Sequence, residues 1–303
     1  MRRIAFATLA ALLLCGPAPA ATGGRALDDV RVLSADDMGG RGIGTDGSAR
    51  ARAYIEGRLR EIGLAVTEQP FVFTRKADGK EVRGVNLIAR IDGTRPGGKA
   101  IVVSAHYDHL GTRGGVIFNG ADDNASGVAA LLAVAEAFQV APPAHTLFLV
   151  ALDGEEVGLR GARAFVDAPP VPLADIGLNV NFDMLSKNAR GELYVSGGAP
   201  FPWLRTRLER LAGTAPVTLK LGHDTDADGL QNNWTGQSDQ GAFAARGVPW
   251  VYFGVEDHSE YHLPTDDFAT VPPVFFLGAV TTVVAACRLF DEELDAMMSE
   301  AGR

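Results

Sequence analysis

Apolar residues recur along this chain with two distinct periods. Between Gly47 and Ile62, residues Ala51, Ile55, Leu59 and Ile62 fall at helical spacing, and Gly63 follows as a stop, which predicts a helix. Short apolar runs then appear at Val85–Ile91, Ala100–Ala105, Thr146–Leu152, Leu178–Phe182 and Val248–Phe253. Each has the length of a strand, is rich in Val, Ile, Leu or Phe, and is bounded by Gly, Pro or polar residues. Helical patterns lie between them, notably Ser126–Phe138 and Val271–Leu289. Strands that are apolar on both faces and alternate with helices predict an α/β fold. The expected form is three-layer α/β/α, with a central mixed, largely parallel sheet covered by helices on both faces. Pro142-Pro143 and Pro169–Pro172 read as turns, and no internal repeat or long linker is visible, so residues 21–303 are expected to form one domain.

The first twenty residues have a different character. Arg2 and Arg3 precede an apolar stretch, Ile4–Leu14, that is interrupted only by Thr8 and is too short to span a bilayer. Ala18-Pro19-Ala20 then supplies a small-residue cleavage signal. The segment is expected to be a signal peptide cut near Ala20, giving a mature chain that begins near Ala21 and is secreted or periplasmic. A lipoprotein reading of Cys15 is disfavoured by the bulky Leu14 before it, and twin-arginine export by the residues after the Arg pair. With Cys15 removed, Cys287 is the remaining cysteine, so no intramolecular disulfide is expected. Its surroundings, Val283-Val284-Ala285-Ala286, point to a buried inert thiol. No second apolar run is read as a membrane span. Loss of Arg2 and Arg3 would take the net charge from -9 to -11. An acidic chain lacks the basic footprint that nucleic-acid binding needs, so no nucleic-acid partner is expected.

Five short segments concentrate His, Asp and Glu, most of them where an apolar run ends. In Ser104–His109, His106 and Asp108 project the same way if the strand continues, and a carboxylate so placed can fix the tautomer of a metal-bound imidazole. Gly120–Gly127 is a tight acidic loop feeding a helix. Asp153-Gly154-Glu155-Glu156 follows a strand directly, and adjacent glutamates can divide metal binding from proton handling. Asn181-Phe182-Asp183 ends another strand, and Tyr261-His262 lies in a loop near Pro264. Side chains at the carboxyl ends of successive strands converge on one crevice, and two histidines with three or four carboxylates suit zinc.

These segments resemble those of the dizinc exopeptidases, which include bacterial leucyl aminopeptidases, glutamate carboxypeptidase and glutaminyl cyclases. The resemblance runs from about Leu33 to the last helix. It is carried by AHYDHLG (105–111), GADDNASG (120–127), GEEVGLRGARAF (154–165), NFDML (181–185), SDQGAFAARGVP (238–249) and YHLPTDD (261–267). It implies that His106 and Asp183 hold one zinc, that Glu156 and His262 hold the other, and that Asp123 bridges them. Asp123 takes that role over Asp122 because the family's bridging Asp stands three residues before the Ser of D-x-x-S-G. Glu155 then matches the general base and Asp108 the partner of His106. Tyr261 either donates a hydrogen bond to an oxyanion or packs beside the ligand loop. The implied activity is an aminopeptidase reaction on peptides, in which Glu155 removes the proton of a zinc-activated water. Glutaminyl cyclase or carboxypeptidase activity, or a non-catalytic binding domain, are the alternatives. Neither the residue preference nor the oligomeric state is legible.

Other polar residues carry blander expectations. His109, in H-x-D-H, is similar in placement to the last histidine of the metallo-β-lactamase pattern H-x-H-x-D-H. Ser104 stands where that pattern needs a histidine, so His109 is expected to be locally structural. Asp122 is expected to be a cap or surface charge, and His145, His223 and His258 to be solvated or locally hydrogen-bonded. Asp224-x-Asp226-x-Asp228-Gly229 starts like a calcium loop, but Thr235 replaces the closing Glu, so a polar turn is expected.

Overall fold

The computed structural model describes residues 25–303 apart from 77, 96, 230 and 231. The expected signal peptide, Cys15 and the cleavage site lie outside the described residues. In chain order the elements are α1 (Ala26–Leu33), α2 (Asp46–Glu61), β1 (Val66–Thr74), β2 (Glu81–Ile91), β3 (Ala100–His106), β4 (Thr112–Arg113), β5 (Val116–Ile117) and α3 (Gly127–Val140). There follow β6 (Leu147–Leu152), α4 (Arg160–Asp167), β7 (Ile176–Phe182), β8 (Glu192–Ser196), α5 (Pro202–Ala212), β9 (Thr218–Leu221), α6 (Gln240–Ala244), β10 (Trp250–Gly254) and α7 (Pro273–Glu300).

Eight strands form one mixed sheet in the order β1-β2-β6-β3-β7-β10-β8-β9, with β4 and β5 in a separate small hairpin. The middle four, β6-β3-β7-β10, run parallel to one another. Alternation within each strand sorts residues to the two faces. Ile101, Val103 and Ala105 of β3 and Leu147, Leu149 and Ala151 of β6 join a core with residues of α1, α2, α3, α5 and α7. Val102 of β3 and Phe148, Val150 and Leu152 of β6 join a second core with Phe165 of α4 and Phe243 of α6. Helices thus cover both faces of a largely parallel sheet, as the apolar runs predicted.

Helix α7 continues eleven residues past the predicted end at Leu289, to Glu300. By length and composition alone it would be able to cross a membrane, with a mean hydropathy of 1.8 over its best window. Half of that window is buried in the molecule, where α7 packs on α3 and α5 and Phe276, Val280, Val283, Cys287, Phe290 and Leu294 face the core. This is the pattern of a core helix. Cys287 is buried as expected, and burial pushes its thiol pKa up.

Candidate metal centre

Parallel alignment of β3, β6, β7 and β10 brings their C-terminal ends to one edge of the sheet, where α/β folds place their sites. β3 ends on His106, Asp153–Glu156 follow β6, Asp183 follows β7, and the loop after β10 carries His258, His262 and Asp266. Asp123 comes from the turn Ala121–Ser126 that leads into α3. Gly120 starts this turn with φ +58°, and a Cβ there would meet the carbonyl oxygen of Asp123 at 2.1 Å. A glycine is therefore required.

Two sets of donor atoms meet at Asp123. In the first, His106 Nε2 lies 3.1 Å from Asp183 Oδ1 and 3.5 Å from Asp123 Oδ1. In the second, His262 Nε2 lies 3.1 Å from Asp123 Oδ2 and 3.4 Å from Glu156 Oε2. Donors sharing one tetrahedral zinc at its usual bond lengths stand about 3.3 Å apart. Asp123 thus presents one oxygen to each group. His109 Nδ1 also reaches this region, 2.7 Å from Glu156 Oε1 and 3.6 Å from Asp123 Oδ2.

Burial dominates the electrostatics of three carboxyls at the site, whereas, against burial, His106 holds the Asp183 carboxyl below its usual value. Burial, reinforced by Glu156, raises the Asp123 carboxyl to about 6. Burial, with His106 and His262 opposing, raises Glu156 to about 7. Glu155 is also pushed well above its usual range by burial. Glu156 Oε1, both ring nitrogens of His109 and both oxygens of Asp239 are buried without a hydrogen-bond partner. Such orphaned atoms are rare in folded proteins, and a cation satisfies carboxylates and bare imidazole nitrogens together. The donor set therefore fits divalent metal, and the groups His106–Asp123–Asp183 and His109–Asp123–Glu156 could each hold an ion.

Surrounding residues fix these donors. His106 Nδ1 lies 3.1 Å from the main-chain oxygen of Asp108 and 3.7 Å from that residue's carboxylate, leaving Nε2 to face the carboxylates. Asp108 Oδ1 instead accepts the amide N–H of Glu155 at 3.0 Å, tying the strand end of His106 to the proposed base. Asp266 accepts the amides of Asp122 and Asp123 and pairs with buried Lys187 at 2.6 Å. The loop bearing His262 is thereby stapled to the turn bearing Asp123. Arg41 is fully buried, with φ +54°. It donates to the carbonyls of Tyr107, Leu33, Asn119, Gly120 and Asp123, clamping both ligand-bearing segments from beneath. Burial lowers its pKa to about 10, so it remains charged.

The other expectations fall out unevenly. Tyr261 stacks on His262, with ring centroids 3.9 Å apart. Asp122 is no surface charge or cap. It is buried, accepts from Ser126 Oγ and the Ser186 amide, and pairs with His258 Nε2 at 2.9 Å. His145 is buried rather than solvated, because its ring contacts Asp291 and Asp295 of α7. His223 stacks on Trp234, and Asp224 accepts amides of Gly197 and Ala199 as a turn residue would. Asp239, given no role from sequence, is completely buried. Burial, reinforced by Asp108 and Asp183 against His106, raises its carboxyl to about 7.

Comparison with known proteins agrees with this geometry. Aminopeptidase YwaD of Bacillus subtilis is 30% identical over 198 residues, covering 61% of this chain and 40% of that protein. The curated relatives are longer, the aligned stretches making up 8% to 40% of their length. Two solved structures share the fold. A glutaminyl cyclase of Porphyromonas gingivalis superposes with a TM-score of 0.70 at 19% identity, covering 89% of this chain and 98% of that one. A zinc aminopeptidase of Bacillus subtilis superposes with a TM-score of 0.69 at 16% identity, covering 87% and 94%. Residues 86–286, which hold every one of the proposed metal donors, match Peptidase family M28, and the chain belongs to that family.

Proposed function

We propose that the chain is a secreted zinc aminopeptidase whose residues 21–303 form a single catalytic domain behind a cleaved signal peptide. The observation that carries the reading is the sharing of Asp123, one carboxylate oxygen facing His106 and Asp183 and the other facing His262 and Glu156. His106, Asp183 and Asp123 would hold one zinc, and Glu156, His262 and Asp123 the other. Bound there, the pair of ions supplies a water of lowered pKa and polarisation of the scissile carbonyl.

The protein's own groups do the rest. Glu155 adjoins a proposed ligand, and its backbone is pinned by Asp108. Its carboxyl, raised by burial, is suited to hold a proton taken from water and to pass it to the leaving amine. Tyr261, whose ring stacks on that of His262, would donate a hydrogen bond to an oxyanion. The similarity to Aminopeptidase YwaD supports the choice of peptide end.

Unblocked peptides with apolar N-terminal residues should be hydrolysed, and acetylating their amine should abolish turnover. Equal cleavage of acetylated peptides from the other end would instead establish a carboxypeptidase. Cyclisation of N-terminal glutamine with release of ammonia, without peptide hydrolysis, would establish a glutaminyl cyclase.

A further inference from the structure

We infer that His109 is a fourth protein ligand, through Nδ1, of the zinc held by Asp123, Glu156 and His262. The inference rests on the two-zinc reading above and deepens it. His109 follows the end of β3 by three residues and is 2% exposed. Its ring is fixed against Gly120, where an added Cβ would come within 2.6 Å of it. Nδ1 faces Glu156 Oε1 at 2.7 Å and Asp123 Oδ2 at 3.6 Å. Neither Nδ1 nor Glu156 Oε1 has a hydrogen-bond partner, so the short approach lacks the alignment of a hydrogen bond.

A bare imidazole nitrogen directed at two carboxylates is repulsive unless a proton or a metal ion lies among them. Nδ1, one Asp123 oxygen and one Glu156 oxygen all lie within 4.8 Å of one another, close enough to share a single ion. A neutral imidazole keeps one lone pair, which is the form that binds zinc. His262 approaches the same carboxylates through Asp123 Oδ2 and Glu156 Oε2, so the Glu156 carboxylate has an imidazole at each oxygen. His262 is 39% exposed on a loop, whereas His109 is held in the interior.

The two metal positions then differ. One has His106, Asp183 and Asp123, three protein donors and an open position, the pattern of a catalytic zinc. The other has His109, His262, Glu156 and Asp123, four donors, the pattern of a tightly held zinc. Zinc should therefore fill the second position first and leave it last.

The test compares the full-length chain with H109Q and H109N, each stripped of metal and titrated with zinc against a chromophoric chelator. X-ray absorption at the zinc edge then counts imidazoles in the fully loaded proteins. Wild type should bind two zinc ions with unequal affinity and show three imidazoles per pair. H109Q should show two, with the tighter site weakened at least about tenfold and the weaker one unchanged. H109N, whose amide oxygen is as many bonds from the backbone as Nδ1, should recover part of the loss. The inference is overturned if H109Q keeps wild-type affinity at the tighter site, or if its imidazole count is unchanged. It is overturned equally if both affinities fall together with the melting temperature of the metal-free protein, which would assign His109 to packing. A wild type that binds one zinc would overturn the two-zinc reading itself, and so is distinguishable from these results.

Discussion

Glu155→Gln should keep both zinc ions and the fold while kcat falls by on the order of 10²–10⁴-fold or more and KM changes modestly. The substitution preserves shape and the backbone N–H that Asp108 Oδ1 accepts at 3.0 Å, so the strand-end geometry survives. It removes the carboxylate that takes up a proton and returns it to the leaving nitrogen. Glu156→Ala should behave differently, because Glu156 Oε2 faces His262 Nε2 at 3.4 Å within the donor set. Zinc content and activity should fall together. Metal analysis and kinetics on the same preparations separate the two residues. Zinc loss from Glu155→Gln with retention by Glu156→Ala would mean that the roles are exchanged.

Chelation should lower the melting temperature by on the order of 10 °C, and the metal-free protein should become less stable as pH rises from about 6.5 to 8. Each site at a thousandfold excess of zinc over its dissociation constant contributes about 4 kcal/mol, which for a chain of this size corresponds to several degrees. The pH dependence follows from carboxyls that burial raises: Glu156 and Asp239 to about 7 and Asp153 to about 8. Unfolded, the same groups titrate near 4. Between these limits the folded chain binds more protons than the unfolded one, so stability is present at low pH and is lost as pH rises through the folded values. His109 works oppositely, being depressed to about 4, but its contribution is complete above about 6.5, the pKa of an unfolded histidine. Zinc neutralises the carboxylates it binds, so the loaded protein should show a flatter profile. Differential scanning calorimetry with and without chelator across this range checks both parts. A metal-free protein that gains stability toward pH 8 would contradict the burial-driven shifts.

The central strands were legible because strands buried on both faces are continuous apolar runs, as in Ala100–His106 and Leu147–Leu152. Strand β1 was not. Its residues alternate between partly buried and exposed, and Glu68, Gln69 and Pro70 sit in its middle, which an edge strand tolerates. β8 and β9 were missed as short strands at the opposite edge, where β8 includes a charged Glu192. The proposed donors could be read locally because His106, Asp123, Glu156 and Asp183 lie at or just beyond a strand end or in a short acidic turn, and His262 stands beside Tyr261 in a loop near Pro264. Their supports could not. Arg41 is 66 residues from Tyr107 and 82 from Asp123, and Asp266 is 143 from Asp123, so only the folded chain brings them together. The same holds for His145, whose partners on α7 lie 146 and 150 residues away. In the sequence, His109 completes another family's pattern imperfectly, which points to a local structural role. Its environment depends on Glu156, which arrives from a different strand.

Zinc titration of the metal-free protein, with hydrolysis of an unblocked N-terminal-leucine peptide measured at each addition, tests the central claim most directly. The account predicts no turnover without metal, a binding end point of two zinc ions per chain, and full peptidase activity only at that end point. Full activity with a single bound zinc, or peptide hydrolysis that survives complete removal of metal, would contradict it.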